Sequence, residues 1–331
     1  YKQMTGNIIS ATKVEPDGSF KDSAASGVWS LQEAFDYTKA SNWPSQSNGA
    51  TPVGFFAGKL SAGSNFIHKI IITTLGNATD VGDLTVERYL GSGAGSTTRG
   101  LFAGGLAVGA RSNVVDYITF ASAGDATDFG NLLSAVNYLG GASNATRAIF
   151  AQGTTDGSDN TNQMEFFTIA SLGNTTDFGN MTVAGYGTSH GPASPTRAMF
   201  AGCVSGGAVV GTIDHVTIAS EGNAADFGDL SVARYICGGA SSNTRGLWVG
   251  GISAGTDVID FVTIASIGSA ADFGNLTVGR YGAGAVSNST RAVIGAGVDA
   301  GYNVMDYVTI ASTGNAAEFG NYGGNRFGSG M

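Results

Sequence analysis

Lysine disappears from this chain early. The 331-residue sequence has six lysines, Lys2, Lys13, Lys21, Lys39, Lys59 and Lys69, so every fixed cation beyond residue 69 is an arginine. Charged residues make up only 12% of the sequence and the formal net charge is −9. A chain this acidic has no basic footprint for a phosphate backbone, which excludes nucleic acid as a partner. An arginine-only surface suits planar pairing in an assembly, and a plain compositional bias gives the same pattern. Cysteine is limited to Cys203 and Cys237. The pair reads as two small buried hydrophobes, with a disulfide as the alternative, and fixes no compartment. Proline numbers 5 and glycine 53 without a Gly-X-Y period, which excludes collagen and points to tight turns. No apolar run reaches membrane-spanning length. No signal peptide is visible, and a start at Tyr1 leaves room for an upstream segment.

Catalytic signatures are also missing. His68, His190 and His215 fall in different parts of the chain, with no HExxH, CxxC or phosphate-cradling loop. No cofactor, no metal and no enzyme activity is therefore expected, and no membrane partner.

A repeat is present instead. An acidic-X-Gly marker recurs at Asp80, Asp128, Asp177, Asp226, Asp272 and Glu318, at intervals of 48, 49, 49, 46 and 46 residues. An arginine opening an apolar run recurs at Arg99, Arg147, Arg197, Arg245 and Arg291. Apolar segments within each unit are short and rich in β-branched and aromatic residues, separated by Gly, Asn, Ser or Thr, and none holds helical spacing. In the clearest copy the expected strands cover 235–240, 247–250, 259–265 and 276–278 with its lead-in. Four short strands per unit of this length predict propeller blades. The fold class is therefore all-β, a six-bladed β-propeller of four-stranded antiparallel blades spanning 51–331. Its first unit, from Thr51, lacks a glycine-rich strand, and the tail Arg326–Met331 aligns with the segment that supplies one elsewhere. Closure by the C-terminal strand follows, with no sheet edge exposed.

Residues 1–50 read differently, as an extended polar arm carrying one short helix over 27–44. Ser30 and Glu33 have capping-box spacing, and Trp43-Pro44 ends the helix. Trp29, Leu31, Phe35 and Trp43 are its anchor candidates.

The segment GVWSLQEAFDYTKASNWP resembles a helix motif of tailed-phage structural proteins. The repeats TRGLFAGG, IDFVTIAS and ADFGNLTVGRY are similar to kelch-like propeller repeats of virion proteins from phages of marine bacteria and cyanobacteria. The kelch spacing of Tyr and Trp is absent. The resemblance implies a virion protein, localised to the extracellular particle. Its arm would bind other virion proteins within a larger assembly, and its propeller, on tail or fibre, would attach to host glycan or protein. Two alternatives stand beside it: an architectural protein decorating a capsid or cementing tail or neck subunits, and a bacterial surface propeller that binds or cleaves polysaccharide.

The repeats can be compared with one another. An acid before the third strand recurs as Asp116, Glu165, Asp214, Asp260 and Asp306, and the first unit loses both this acid (His68) and the arginine (Val53). Joint loss predicts ion pairs within each blade, Arg99–Asp116, Arg147–Glu165, Arg197–Asp214, Arg245–Asp260 and Arg291–Asp306. The Asp-Phe-Gly triplet is expected to cap a turn, its Phe filling the space between blades. The spacing from arginine to acid varies among the copies, and the extra residues fall between the second and third strands. The loops at 107–114, 154–163, 205–212, 253–258 and 298–304 are thus the expected contact surface. Their partner- or glycan-binding candidates are Arg111, Asp156, Asp159, Asn160, Asn162, Asp257 and Tyr302.

Overall fold

The computed structural model describes residues 52–322, other than 59–64, 108, 123, 152, 156–160, 254–256, 296 and 299–302, together with the backbone of Ser329–Gly330. Pro52–Met331 makes one compact unit, and the expected arm and helix lie outside the described residues. The described chain is all-β, with a single 3-10 turn at Phe120–Ser122.

Six principal sheets follow the six repeats, each antiparallel throughout. The first is completed from the far end of the chain: Ser329–Gly330 pairs with Val53–Ala57, which pairs with Phe66–Ile71, then Thr79–Asp83. The second holds Ser92–Gly95, Arg99–Ala103, Val114–Thr119 and Thr127–Asn131. The third holds Gly140–Ser143, Arg147–Ala151, Thr161–Thr168 and Thr176–Gly185. The fifth and sixth repeat the pattern from Gly238–Ser241 to Ala271–Asn275 and from Gly284–Ser287 to Ala317–Asn321.

The fourth sheet departs from the expected four strands, having only Arg197–Ser205, Ala208–Thr217 and Ala225–Asp229. Its inner segment carries one extra residue, since Tyr186 precedes Arg197 by 11 positions where Tyr235 precedes Arg245 by 10. It also holds Pro192, which has no N–H for a ladder. Ser189 still donates to Ala201 O (3.0 Å) and Pro192 O still accepts from Met199 N (3.1 Å), so the segment lies in place without a regular strand.

Both faces of these sheets are covered by neighbours, so central strands such as RGLWV (Arg245–Val249) read as continuous apolar runs. The core is six apolar clusters, each shared by two successive sheets, and one of them joins sheets six and one. There Val286, Val293, Met305 and Phe319 meet Phe56, Ile70 and Ile72.

The Asp-Phe-Gly stretch is the outer strand itself, Ala271–Asn275 in the fifth sheet, rather than a turn before a strand at 276–278. Asp, Gly and Asn are depleted in strands, which hid it. Asp226 does cap locally, accepting from Gly228 N at 3.1 Å. The register shifts at the acidic-X-Gly triplet in all six sheets, where the middle residue has no partner on the third strand, a bulge that turns the outer strand towards the next sheet. At this glycine a Cβ would lie 2.6 Å or less from the next repeat's turn: Gly82 against Gly124, Gly130 against Gly173, and so on to Gly320 against Gly76. The following residue donates its amide to a side chain of that turn at every junction, from Asp83 to Asp125 Oδ1 (3.1 Å) through Asn275 to Asn315 Oδ1 (3.0 Å). The last of these, Asn321 to Asn77 Oδ1 at 3.0 Å, joins sheet six to sheet one.

The expected ion pairs within a sheet do not form. Arg99 stands opposite Thr119 and Asp116 opposite Phe102, three positions apart on the ladder, so the two side chains leave opposite faces. The same offset separates Arg147 from Glu165, Arg197 from Asp214, Arg245 from Asp260 and Arg291 from Asp306. Each of these arginines bridges to the next sheet instead. Arg245 lies over the Phe261 ring (4.5 Å) and donates to Ile310 O (2.9 Å), and Arg291 donates to Ile72 O (3.1 Å). Arg99, Arg147 and Arg197 donate in the same way to Ile169, Ile218 and Ile264 carbonyls. Where Val53 replaces the arginine, Phe120 stacks on Phe55 at 5.0 Å.

The acids reach the crossover that arrives from the previous sheet. Asp116 accepts from Thr85 N and Oγ1, Asp214 from Thr182, Asp260 from Ser231 and Asp306 from Thr277. Their cationic partners stand at another position of the repeat: Arg88 for Asp116 (3.0 Å), Arg234 for Asp260 (2.8 Å) and Arg280 for Asp306 (2.5 Å). Val136 and Gly185 occupy that position in the third and fourth repeats. Glu165 and Asp214 are therefore held by N–H and hydroxyl donors, with Leu133 N and the Thr175 hydroxyl on Glu165. Burial pushes both carboxyls above the usual range.

Candidate functional site

A tyrosine follows that arginine position in five of the six repeats, as Tyr89, Tyr186, Tyr235 and Tyr281, with Tyr138 one residue later in the third repeat, and Phe327 follows Arg326 at the sixth such place. The residue after Tyr89 takes a left-handed backbone (Leu90, φ 58°), as do Tyr138, Gly187, Ile236 and Gly282 at the matching places. Three of these five carry a full side chain, a strained choice that the surroundings must enforce. What enforces it is a chain of backbone bonds running from repeat to repeat. Tyr138 N donates to Leu90 O (2.9 Å), Gly187 N to Tyr138 O (2.9 Å), Ile236 N to Gly187 O (2.7 Å) and Gly282 N to Ile236 O (3.1 Å).

This turn gathers the tyrosines at one end of the space between the inner strands. Tyr138 and Tyr186 have ring centroids 5.9 Å apart, and Tyr186 and Tyr235 6.4 Å. All five are half-buried. Burial, and then the neighbouring phenols, raise the Tyr138 and Tyr235 hydroxyls above the ordinary tyrosine range, so both stay protonated donors in neutral solution.

The loops between second and third strands come to the same end. Leu106–Ala107 pairs with Arg88–Tyr89, and single bridges join Asn137 to Thr154, Tyr186 to Val204, Tyr235 to Ile252 and Tyr281 to Val298. Of the residues expected to bind there, Arg111 donates Nε to Asn137 Oδ1 (3.0 Å) and so joins the second repeat to the third. Asp257 is half-buried, with its carbonyl accepting from Leu276 N (2.7 Å), and Asn162 is half-buried in the third sheet. Asp156, Asp159, Asn160 and Tyr302 lie outside the described residues, as do the anchor residues Trp29, Leu31, Phe35 and Trp43.

Two pockets lie along the inner strands and His190 lines both. Its Nδ1 is 3.2 Å from Ser92 Oγ, two repeats away, so the ring spans between non-adjacent inner segments. Desolvation in this narrow space pushes its pKa down to about 4. It is neutral at pH 7. The far pocket has a cavity of about 220 Å³ lined mostly by glycine, alanine and serine. Its serine hydroxyls are already committed: Ser143 Oγ accepts from Gly95 N and donates to Gly95 O, and Ser241 and Ser287 do the same to Ala193 and Ser241. The tyrosine end therefore has the polar groups still able to meet a ligand.

Among the described residues no group of three or more His, Cys, Asp or Glu could hold a metal ion, and no helix is long and apolar enough to cross a membrane. Cys203 and Cys237 are buried and free. Their thiols are held above the ordinary range by burial, which leaves them protonated and unreactive. No protein-family model matches the chain, and no curated protein matches it.

Proposed function

We propose that the six sheets are the blades of a closed, kelch-like propeller. It is carried on a tailed-phage particle by the N-terminal arm and uses its tyrosine-lined end to attach to host-surface glycan. One observation carries the reading. The polar residues common to the repeats are taken up in joints between sheets, whereas the half-buried tyrosines and the variable loops meet at one end. Aromatic faces with a polar tip suit a sugar, whose C–H face stacks and whose hydroxyls pair. The arrangement suits binding: among the described residues no nucleophile, base and orienting group come together at this end as acyl or glycosyl transfer would need.

A second reading, an architectural subunit, is supported by a different surface. Leu75, Leu172 and Ile267 stand at one position of the first, third and fifth repeats and are 56%, 58% and 67% exposed. Apolar groups repeated in alternate blades suit a contact with neighbouring subunits. Titration of the full chain with purified bacterial surface polysaccharides separates the two. Attachment requires saturable binding that a Tyr89→Ala/Tyr235→Ala variant loses with its melting temperature unchanged. No binding to any polysaccharide sinks attachment and leaves the architectural role, and release of reducing ends makes the protein an enzyme.

A further inference from the structure

The described arginines fall into two series, with one exception. The series from Arg99 to Arg291 bridges to the next sheet through main-chain carbonyls, and Arg88, Arg234 and Arg280 are buried against their acids. Arg111 belongs to neither. It is the only arginine or lysine in the five variable loops, whereas the loops of the third, fifth and sixth repeats carry Asp156, Asp159, Asp257 and Asp299.

One bond places the Arg111 side chain, from Nε to Asn137 Oδ1 at 3.0 Å. Asn137 is itself fixed, since it is only 3% exposed and its backbone bridges to Thr154. That bond uses Nε alone. Arg111 is half-buried, Nη1 and Nη2 have no partner among the described residues, and neither nitrogen is enclosed. The two-pronged edge of the guanidinium, which matches a carboxylate, is thus held in place and open to solvent.

Aromatic side chains stand close by. Arg111 pairs with Leu106 and Leu106 with Tyr89 in one small antiparallel sheet. Residues directly opposite on neighbouring strands share a face, so Tyr89 lies on the same face as Arg111, two strand spacings or roughly 10 Å away at the backbone. Tyr138 follows Asn137 directly in the chain. A hexuronic acid is long enough to rest its ring on a tyrosine here and reach the guanidinium with its carboxylate.

We infer that Arg111 makes this end selective for acidic glycans, taking the carboxylate of a uronic acid on Nη1 and Nη2 while the sugar ring rests on Tyr89. The inference rests on the glycan-attachment reading above and names its ligand class. It also sets the ligand off-centre, at the second repeat and away from the loops that carry aspartates.

The test titrates the full chain with glucuronic acid, its methyl ester and glucose. The free acid is expected to bind at least about fivefold tighter than the ester, at or above the upper end for an exposed ion pair, because the guanidinium is held ready and meets both carboxylate oxygens. Two variants, each checked by a thermal melt, make the second arm. Arg111→Met should abolish the preference for the acid, and Arg111→Lys, which keeps the charge without the two-pronged edge, should keep only part of it. Equal binding of acid and ester by the unaltered chain, or a preference undiminished in either folded variant, overturns the inference and leaves the glycan reading standing. Failure of all three sugars to bind overturns the inference alone where a polysaccharide still binds, and overturns both where none does.

Discussion

Arg234 and Asp260 are both fully buried, 2.8 Å apart, in the joint between the fourth and fifth sheets. Removing one partner strands the other's charge, so Arg234→Met should destabilise the protein by about 3–5 kcal/mol in chemical denaturation. A loss below 1 kcal/mol would make the joint indifferent to the pair. Glu165 behaves differently because no arginine faces it. Burial raises its carboxyl pKa, so the folded state holds that proton more tightly than the unfolded chain does. Its contribution is present at low pH and is lost as pH rises through the raised value. Glu165→Gln keeps an oxygen for Leu133 N and the Thr175 hydroxyl, and its melting temperature should gain on the parent between about pH 5 and about pH 8. A gap that shrinks with rising pH contradicts this. His190 has the opposite sign: its lowered value makes its contribution full above the ordinary histidine range and lost as pH falls through about 4. Its ring protons should titrate near 4 in an NMR series, and a midpoint near the ordinary histidine value would show a solvated ring.

The residue scale is also where the sequence misled. Joint loss of arginine and acid in the first repeat suggested that they touch. The hairpin register that puts them on opposite faces depends on a loop of variable length and cannot be counted from sequence. The true partners, Arg88, Arg234 and Arg280, sat in view beside the tyrosines, but absence from two repeats disguised them. The tyrosine end was hidden for a related reason. A tyrosine before a glycine-rich strand reads as strand, and only Gly187 and Gly282, at the places of Leu90 and Ile236, hint at the left-handed turn.

At the scale of elements, the period, the sheet count and the inner, second and third strands were legible from apolar runs and turn residues. The outer strand was not, because its Asp-Phe-Gly-Asn sequence has turn composition and becomes a strand only through the bulge and the neighbouring repeat. That neighbour also explains the glycine. A Cβ at Gly228 would sit 2.6 Å from the Gly268 carbonyl carbon, so Gly228→Ala should cost about 1–3 kcal/mol through overpacking. Gly222→Ala, in a turn where nothing lies within 4 Å of the added carbon, separates backbone strain from crowding. Thermal melts should show the larger loss at Gly228. Equal losses would make backbone conformation the whole cause.

For the whole molecule, every kind of joint seen between successive sheets that the described residues permit also joins the sixth to the first. Gly320 abuts Gly76, Asn321 bonds to Asn77, Arg291 reaches Ile72, and Ser329–Gly330 completes the first sheet. A closed ring would make its first and last sheets interdependent, so removing residues 329–331 should lower the midpoint of a single cooperative transition rather than melt one sheet alone. Separate transitions for the two ends of the chain would mark an open array. A crystallographic or cryo-electron density map of the intact chain tests closure most directly. The account requires the Asn321 amide within hydrogen-bonding distance of Asn77 Oδ1, close to 3.0 Å, with six sheets around one axis. A map in which residues 319–321 lie apart from 76–78 and the units stack as a rod would contradict it.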